Sequence, residues 1–285
     1  PARTAVTTFV DALVASGGTS IGDGLERGRQ LLDATSAFDR EAMVVITDGK
    51  ETSPKWISDV AGTIDATTYG LGIGTAANIN AATLQALTGN SGGYLLVTGP
   101  LVGDTEQILM KYFLQILAGI SNADVLLDPE GHIAIDDEIR IPFTVSDADL
   151  MLDVVLLSPV HRLIDLRVET PLGFVLRPSS IETDHVETDP GEMLRFRVPL
   201  ELAPGRIDQA GTWHVVLSGP ATPGGGVDVE DGNRDEQIAL WKRLTRDSSR
   251  GTARYSVIVN VYSDVSFRAT LRQHPPTPGA RVAIH

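Results

Sequence analysis

Gly17-Gly18-Thr19-Ser20-Ile21-Gly22-Asp23-Gly24-Leu25, followed by Met43-Val44-Val45-Ile46 and then Thr47-Asp48-Gly49, is the stretch whose reading decides the fold. The later part predicts a strand over 42–46 that is apolar on both faces, as a parallel strand covered by helices must be. Open α/β sheets collect ligands outside the carboxyl ends of such strands, so Asp48 is placed to project a carboxylate into that crevice. Thr19 precedes a predicted helix with the stripe Ile21, Leu25, Gly28 and Leu32, and it offers a hydroxyl at the same edge. Hydroxyl, carboxylate and water oxygens are the donors that a hard divalent cation takes in near-octahedral array. Each segment alone has a plainer reading, a capped helix start and a turn after a strand. Their order, one amphipathic helix apart, is what points to a cation.

These residues resemble the von Willebrand factor type A family, and the likeness runs from about Ala2 to about Gly119. In that family the two segments are the second and third loops of a metal-ion-dependent adhesion site. The resemblance implies a doubly wound, Rossmann-like α/β domain over 1–119. It also implies Mg²⁺, or Mn²⁺ or Ca²⁺, held in part by Thr19 and Asp48, with Gly18, Ser20 and Gly49 shaping the loops. A partner protein would fill the open coordination position with an acidic side chain. The family's first loop, Asp-x-Ser-x-Ser, does not occur here: Ser146-Asp147-Ala148-Asp149 and Asp247-Ser248-Ser249 have other spacings and lie elsewhere. The sequence opens in what reads as a mid-domain helix, 4–14, with the apolar face Val6, Phe9, Val10 and Leu13. The expectation is the C-terminal part of a type A domain, with a partial ligand set of weak metal affinity and an open sheet edge prone to self-association.

Strand and helix alternate through the rest of this segment. A helix opened by Ser53-Pro54 carries Trp56, Val60 and Ile64; strands are predicted over 67–73 and 93–98, and a last helix over 106–118 ends at Gly119. Gly70-Leu71-Gly72-Ile73-Gly74 invites a phosphate-cradling reading, but it lacks the wider glycine spacing that such loops need.

Composition narrows the function classes. At 285 residues with 42% hydrophobic content the chain is long enough for two cores. Zero cysteines exclude disulfides, thiolate metal sites and a cysteine nucleophile. A net charge of −14 disfavours nucleic acid and anionic membrane surfaces as partners. No apolar run approaches bilayer length, so direct membrane insertion is not expected.

After Gly119 helical spacing gives way to period-two alternation. In Ile139-Arg140-Ile141-Pro142-Phe143-Thr144-Val145 the isoleucines, Phe143 and Val145 share one face, and Pro142 marks an edge strand. Similar runs at 152–157, 163–168, 194–198, 213–217 and 255–261 predict an immunoglobulin- or fibronectin-like β-sandwich over 123–263. The run 265–271 reads as the start of a third β domain over 264–285. Glu169-Thr170-Pro171-Leu172-Gly173 and Ala210-Gly211-Thr212-Trp213, after a type A segment, resemble the calcium-activated chloride channel regulator group and its bacterial relatives. That resemblance implies secretion or the cell surface. No His-Glu-x-x-His is present, so protease activity does not carry over.

Two acidic runs read as solvated loops with some capacity for calcium: Glu182, Asp184, His185, Glu187, Asp189 and Glu192, and Asp228, Glu230, Asp231, Asn233 and Asp235. A short helix over 235–244 shows Ile238, Trp241 and Leu244 on one side, with Trp241 expected to pack back on the sandwich. The six histidines are scattered, His214 is expected to face solvent, and no nucleophile elbow or triad is visible, so the chain reads as a non-enzyme. The expected function is a metal-ion-dependent protein-binding or adhesion module. The competing readings are an intracellular type A scaffold working with a ring ATPase, and a carbohydrate-binding sandwich supported by the α/β part.

Overall fold

The computed structural model describes residues 2–14, 16–35, 40–48, 50–74, 80–89, 95–98, 106–121, 123–189, 191–203, 205–221, 234–246, 248 and 251–264. The chain divides into two compact units, residues 1–120 and 121–285. It is a mixed α/β molecule with several separate sheets. The predicted third β domain lies outside the described residues from 265 onward.

The first unit contains α1 (Ala2–Asp11), α2 (Ile21–Asp33), β1 (Met43–Thr47), a 3-10 helix (Ile57–Thr63), β2 (Thr68–Ile73), α3 (Ala81–Thr88), β3 (Leu95–Thr98) and α4 (Glu106–Ser121). The strands form one sheet in the order β1-β2-β3. Both pairings are parallel, with Met43 opposite Thr68 and Gly70 opposite Leu95. Parallel pairing requires a crossover between successive strands, and the 3-10 helix and α3 lie in those crossovers.

The α2 stripe packs as its spacing predicts. Ile21 and Leu25 are buried with Met43, Ile57, Val60, Leu84 and Leu87, while Leu32 and Val45 pack at the margin of this core. Gly28 lets the sheet approach, since a Cβ there would lie 2.5 Å from Met43 Sδ. Gly70 and Gly72 are strand residues of β2, and a Cβ on Gly70 would lie 3.2 Å from Thr88 Cγ2 on α3. The glycine at 70 thus serves close helix-on-strand packing.

Two expectations for this unit are corrected. The opening helix ends at Asp11 rather than Val14, and its apolar residues are not a buried face: Phe9, Val10 and Leu13 are all more than half exposed. The segment after Ser53-Pro54 is a 3-10 helix with a kink at Val60 (φ −124°, ψ 19°), and Trp56 stands at its start, outside the buried stripe. Ile57 and Val60, three residues apart, both enter the core, while Trp56 stays outside it. Helix α3 has no counterpart among the predicted elements. Its signal is Asn80, whose Oδ1 accepts from the Ala82 and Thr83 amides at 3.1 and 3.3 Å.

The second unit runs through β4 (Asp124–Leu127), β5 (Glu130–Ile133), β6 (Glu138–Val145), β7 (Asp149–Leu157), a 3-10 turn (His161–Leu163) and β8 (Asp165–Glu169). It continues through β9 (Val175–Leu176), β10 (Thr183–Thr188), β11 (Gly191–Arg197), β12 (Leu200–Ala203), β13 (Arg206–Asp208), β14 (Gly211–Ser218), α5 (Arg234–Leu244) and β15 (Ala253–Ser263). One sheet has the order β10-β11-β7-β15-β4, with β5 also on β15; a second has the order β6-β14-β8-β9; β12 and β13 make a two-stranded ribbon. All these pairings are antiparallel.

Alternation explains why the two larger sheets share a core. Leu152, Val154 and Leu156 of β7, Leu194 and Phe196 of β11, and Val257 and Val259 of β15 meet Phe143, Val145, Trp213, Val215 and Leu217 of the second sheet. Trp213 stacks on Phe196 across the layers, with ring centroids 5.6 Å apart and planes at 14°, and its Nε1 donates to Gln209 O at 2.8 Å. Trp241 of α5 is fully buried in the same core and donates to Gly251 O at 3.0 Å. Strand β6 lies at an edge, with Pro142 opposite His214. His214 is half-buried rather than solvent-facing.

On β6 and β8, Arg140 grips Glu169 through two bonds, Nη1–Oε1 at 2.8 Å and Nη2–Oε2 at 2.5 Å. That hydrogen-bonded pair holds the Glu169 carboxyl below the usual range, against a smaller opposing effect of burial.

The first acidic run is corrected as well. Its centre is not a loop but β10, an exposed edge strand paired with β11 from Thr183–Phe196 to Thr188–Gly191. The strand is not legible in the sequence because Thr183 to Thr188 is polar apart from Val186, as an edge strand in water allows. Of the second run, Asp235 lies in α5, and Asp228, Glu230, Asp231 and Asn233 lie outside the described residues.

Candidate functional site

The residues singled out as cation ligands sit on two loops of the first unit that are joined by hydrogen bonds. Ser20 is the N-cap of α2, in extended geometry, and its Oγ accepts from the Asp23 amide at 3.3 Å. The Ser20 hydroxyl also donates to Lys55 O at 2.9 Å. Thr19 is held by its backbone: its amide donates to Thr52 Oγ1 at 2.7 Å, and its carbonyl accepts from the Thr52 and Ser53 amides at 2.9 and 3.1 Å. The Gly22 amide donates to the same Lys55 carbonyl at 3.1 Å. Lys55 Nζ reaches back to Glu26 Oε1 on α2 at 2.6 Å.

Glycine at 18 and 22 is a packing requirement of this junction. A Cβ on Gly18 would lie 2.8 Å from Ser53 Oγ, and one on Gly22 would lie 2.5 Å from Trp56 O and 2.6 Å from Lys55 O. Thr52, Ser53 and Lys55 are the anchoring residues that the sequence reading missed. Their side chains and amides gain meaning only when paired with residues about 33 positions earlier.

Asp48 directly follows β1 and is exposed at its carboxyl end. Its Oδ1 accepts from the Lys50 amide at 3.1 Å, the local turn that an aspartate makes after a strand. Asp48 thus lies four residues before Thr52, the residue bonded to Thr19. Gly49 lies outside the described residues.

A hard cation seeks about six oxygens, with water allowed among them. The junction supplies one carboxylate, on Asp48, and the Thr19 hydroxyl, while the Ser20 hydroxyl is engaged in capping and in bonding the Lys55 carbonyl. The chain's own donors therefore suit a fraction of a shell. Among the described residues no group of three or more His, Asp or Glu side chains is arranged to hold a metal. No described helix is long and apolar enough to cross a membrane.

No family model and no curated protein matches the chain. Among solved structures, it is similar to a von Willebrand factor type A protein from Catenulispora acidiphila, with 13% identity and a TM-score of 0.34 over 78% of this chain and 43% of that one. It is also similar to Pseudomonas aeruginosa AlgX, with 10% identity and a TM-score of 0.24 over 76% of this chain and 52% of that one. The chain thus spans about half or less of each of these proteins. At these values neither likeness decides fold or function, which rest on the chain's own residues.

Proposed function

We propose that the first unit is a protein-binding module of the von Willebrand factor type A kind, and that its contact with a partner runs through a divalent cation. The observation that supports this most is the junction at the carboxyl end of β1, where the Thr19 loop is bonded to the segment that follows Asp48. Thr19 Oγ1 and the Asp48 carboxylate would ligate Mg²⁺, Mn²⁺ or Ca²⁺, with water and further oxygens from outside this sequence completing the shell. An Asp or Glu of the partner would take the remaining position. This fits a chain of net charge −14, because the ion inverts the field at the one spot where an acidic group must approach.

In the same proposal the second unit is a sandwich of the immunoglobulin or fibronectin type that serves as spacer or second binding surface, and the protein works outside the cell without catalysing a reaction.

The test is calorimetric titration of Mg²⁺ and Mn²⁺ into the chain and into a version lengthened at its N-terminus by an Asp-x-Ser-x-Ser loop, each beside Asp48→Ala. Tight binding in the lengthened protein that Asp48→Ala abolishes supports the proposal. Absence of binding in both reduces the α/β unit to a scaffold.

A further inference from the structure

Helix α5 ends in a group of cations that no carboxylate answers. Lys242, Arg243 and Arg246 are exposed, and among the described residues none of them has an ion-pair or hydrogen-bond partner. Elsewhere in the β unit Arg140, Arg162, Arg167, Arg177, Arg195 and Arg254 each meet a carboxylate. Acids outnumber bases 37 to 23 in this chain, so unpaired cations gathered at one place need a reason. The helix dipole supplies one, since positive charge is favoured near a helix C-terminus. That reason applies to all three alike.

Two of the three have a second feature in common. Lys242 and Arg246 line a cleft of about 420 Å³ together with Ile135, Thr245, Ser248 and Gly251, and Arg243 does not. No carboxylate is among the described lining residues. Lys242 and Arg246 are four positions apart, one helical turn, where like charges repel. An oxyanion between them replaces that repulsion with two attractions: arginine offers a planar fork that matches oxyanion geometry, and lysine a compact charge.

The floor of the cleft is fixed by Trp241, which is fully buried. Its carbonyl accepts from the Thr245 amide and hydroxyl, each at 2.9 Å, and its Nε1 donates to Gly251 O at 3.0 Å. The Ser248 amide donates to Thr245 O at 3.0 Å, and the Gly251 amide to Ser248 O at 3.2 Å. Ile135 packs against the β core and gives the opposite wall an apolar side chain. Walls set before a ligand arrives lower the ordering cost of binding it, and the volume falls within the range of small-molecule sites, about 300–1,000 Å³.

We propose that this cleft binds a small organic molecule through one phosphate or carboxylate group, with the oxyanion between Lys242 and Arg246 and the carbon part against Ile135. The site shares no residue with the Thr19–Asp48 junction and takes a ligand of the opposite charge.

The test uses the whole chain and follows the Thr245, Ser248 and Gly251 amide resonances at constant ionic strength. Phenyl phosphate is titrated beside inorganic phosphate, and benzoate beside acetate. In at least one series the ring-bearing probe should saturate and bind at least about threefold more tightly than its charge-only counterpart; the series that does so identifies the headgroup. Affinity for that probe should fall at least about tenfold in Lys242→Gln and in Arg246→Gln, and stay within about twofold in Arg243→Gln, the neighbouring cation outside the cleft. All three side chains are exposed, so these variants keep the fold. Failure of both ring-bearing probes to saturate, equal binding of the charge-only counterparts, or an Arg243→Gln loss as large as that of Lys242→Gln would each overturn the proposal.

Discussion

Three glycines of helix α2, replaced one at a time by alanine, should move stability in different directions. In a helix interior alanine is favoured over glycine by about 0.5–1 kcal/mol, because glycine has more backbone freedom to lose. At Gly24 a Cβ meets nothing within 4 Å, so that gain should appear nearly whole. At Gly28 the Cβ would lie 2.5 Å from Met43 Sδ, the far end of a flexible side chain. Repacking there should offset the gain, leaving a change within about 1 kcal/mol of zero.

At Gly22 the close atoms are backbone, Trp56 O at 2.5 Å, Lys55 O at 2.6 Å and Trp56 C at 2.7 Å. They cannot retreat without stretching the Gly22 N–Lys55 O and Ser20 Oγ–Lys55 O bonds. Overpacking costs about 1–3 kcal/mol and each lost bond about 1. After the helix gain is subtracted, Gly22→Ala should destabilise by about 2–4 kcal/mol. Native-state hydrogen exchange of the α2 amides reads this unit apart from the β unit. A neutral or stabilised Gly22→Ala, or a Gly24→Ala destabilised by more than about 1 kcal/mol, would refute the packing on which the loop junction rests.

Other changes test other parts of the molecule. Ser20→Ala removes an N-cap and a bond to Lys55 O and should cost about 1–2 kcal/mol, whereas Asp48→Ala, exposed and bonded only locally in its turn, should stay within about 0.5 kcal/mol; urea denaturation of both separates a structural residue from a binding one. Trp241→Ala empties a fully buried site in the β core and should cost about 3–5 kcal/mol, which denaturant unfolding of the β unit would register. Glu169 has a lowered folded pKa, so its contribution is complete above the ordinary glutamate pKa of about 4.3 and disappears as pH falls through the lower folded value. Glu169→Gln should therefore flatten the acid limb of a Tm-against-pH curve below that point; a limb as steep as in the parent protein would contradict this.

Local pattern carried a large share of the fold into the sequence. The Ile21-Leu25-Leu32 stripe, the alternation of β6 and Pro142 at its edge follow from periods of 3.6 and 2 with one missing amide; the strand expected to be apolar on both faces is only partly buried, with Ile46 half exposed. What stayed hidden depends on distant partners. The Ile57–Val60 pairing needs the core it enters, and β10 needs β11. Thr19 and Asp48 are proposed as cation ligands from residue type and spacing alone. The bonds from Thr19 and Ser20 to Thr52, Ser53 and Lys55 are not legible there, because they join loops more than thirty residues apart, partly through backbone atoms, and leave no mark on composition.

Pro142 has a consequence for how the protein behaves when concentrated. An outermost strand usually presents a ladder of unmet amides and carbonyls that a strand from a neighbouring molecule can extend. On β6 that ladder lacks a rung at Pro142, and on the other sheet the outermost β10 carries Asp184 and Glu187, whose copies would repel one another edge to edge. These two borders are thereby poor templates for polymerisation, which favours a β unit that stays dispersed where many copies are crowded together.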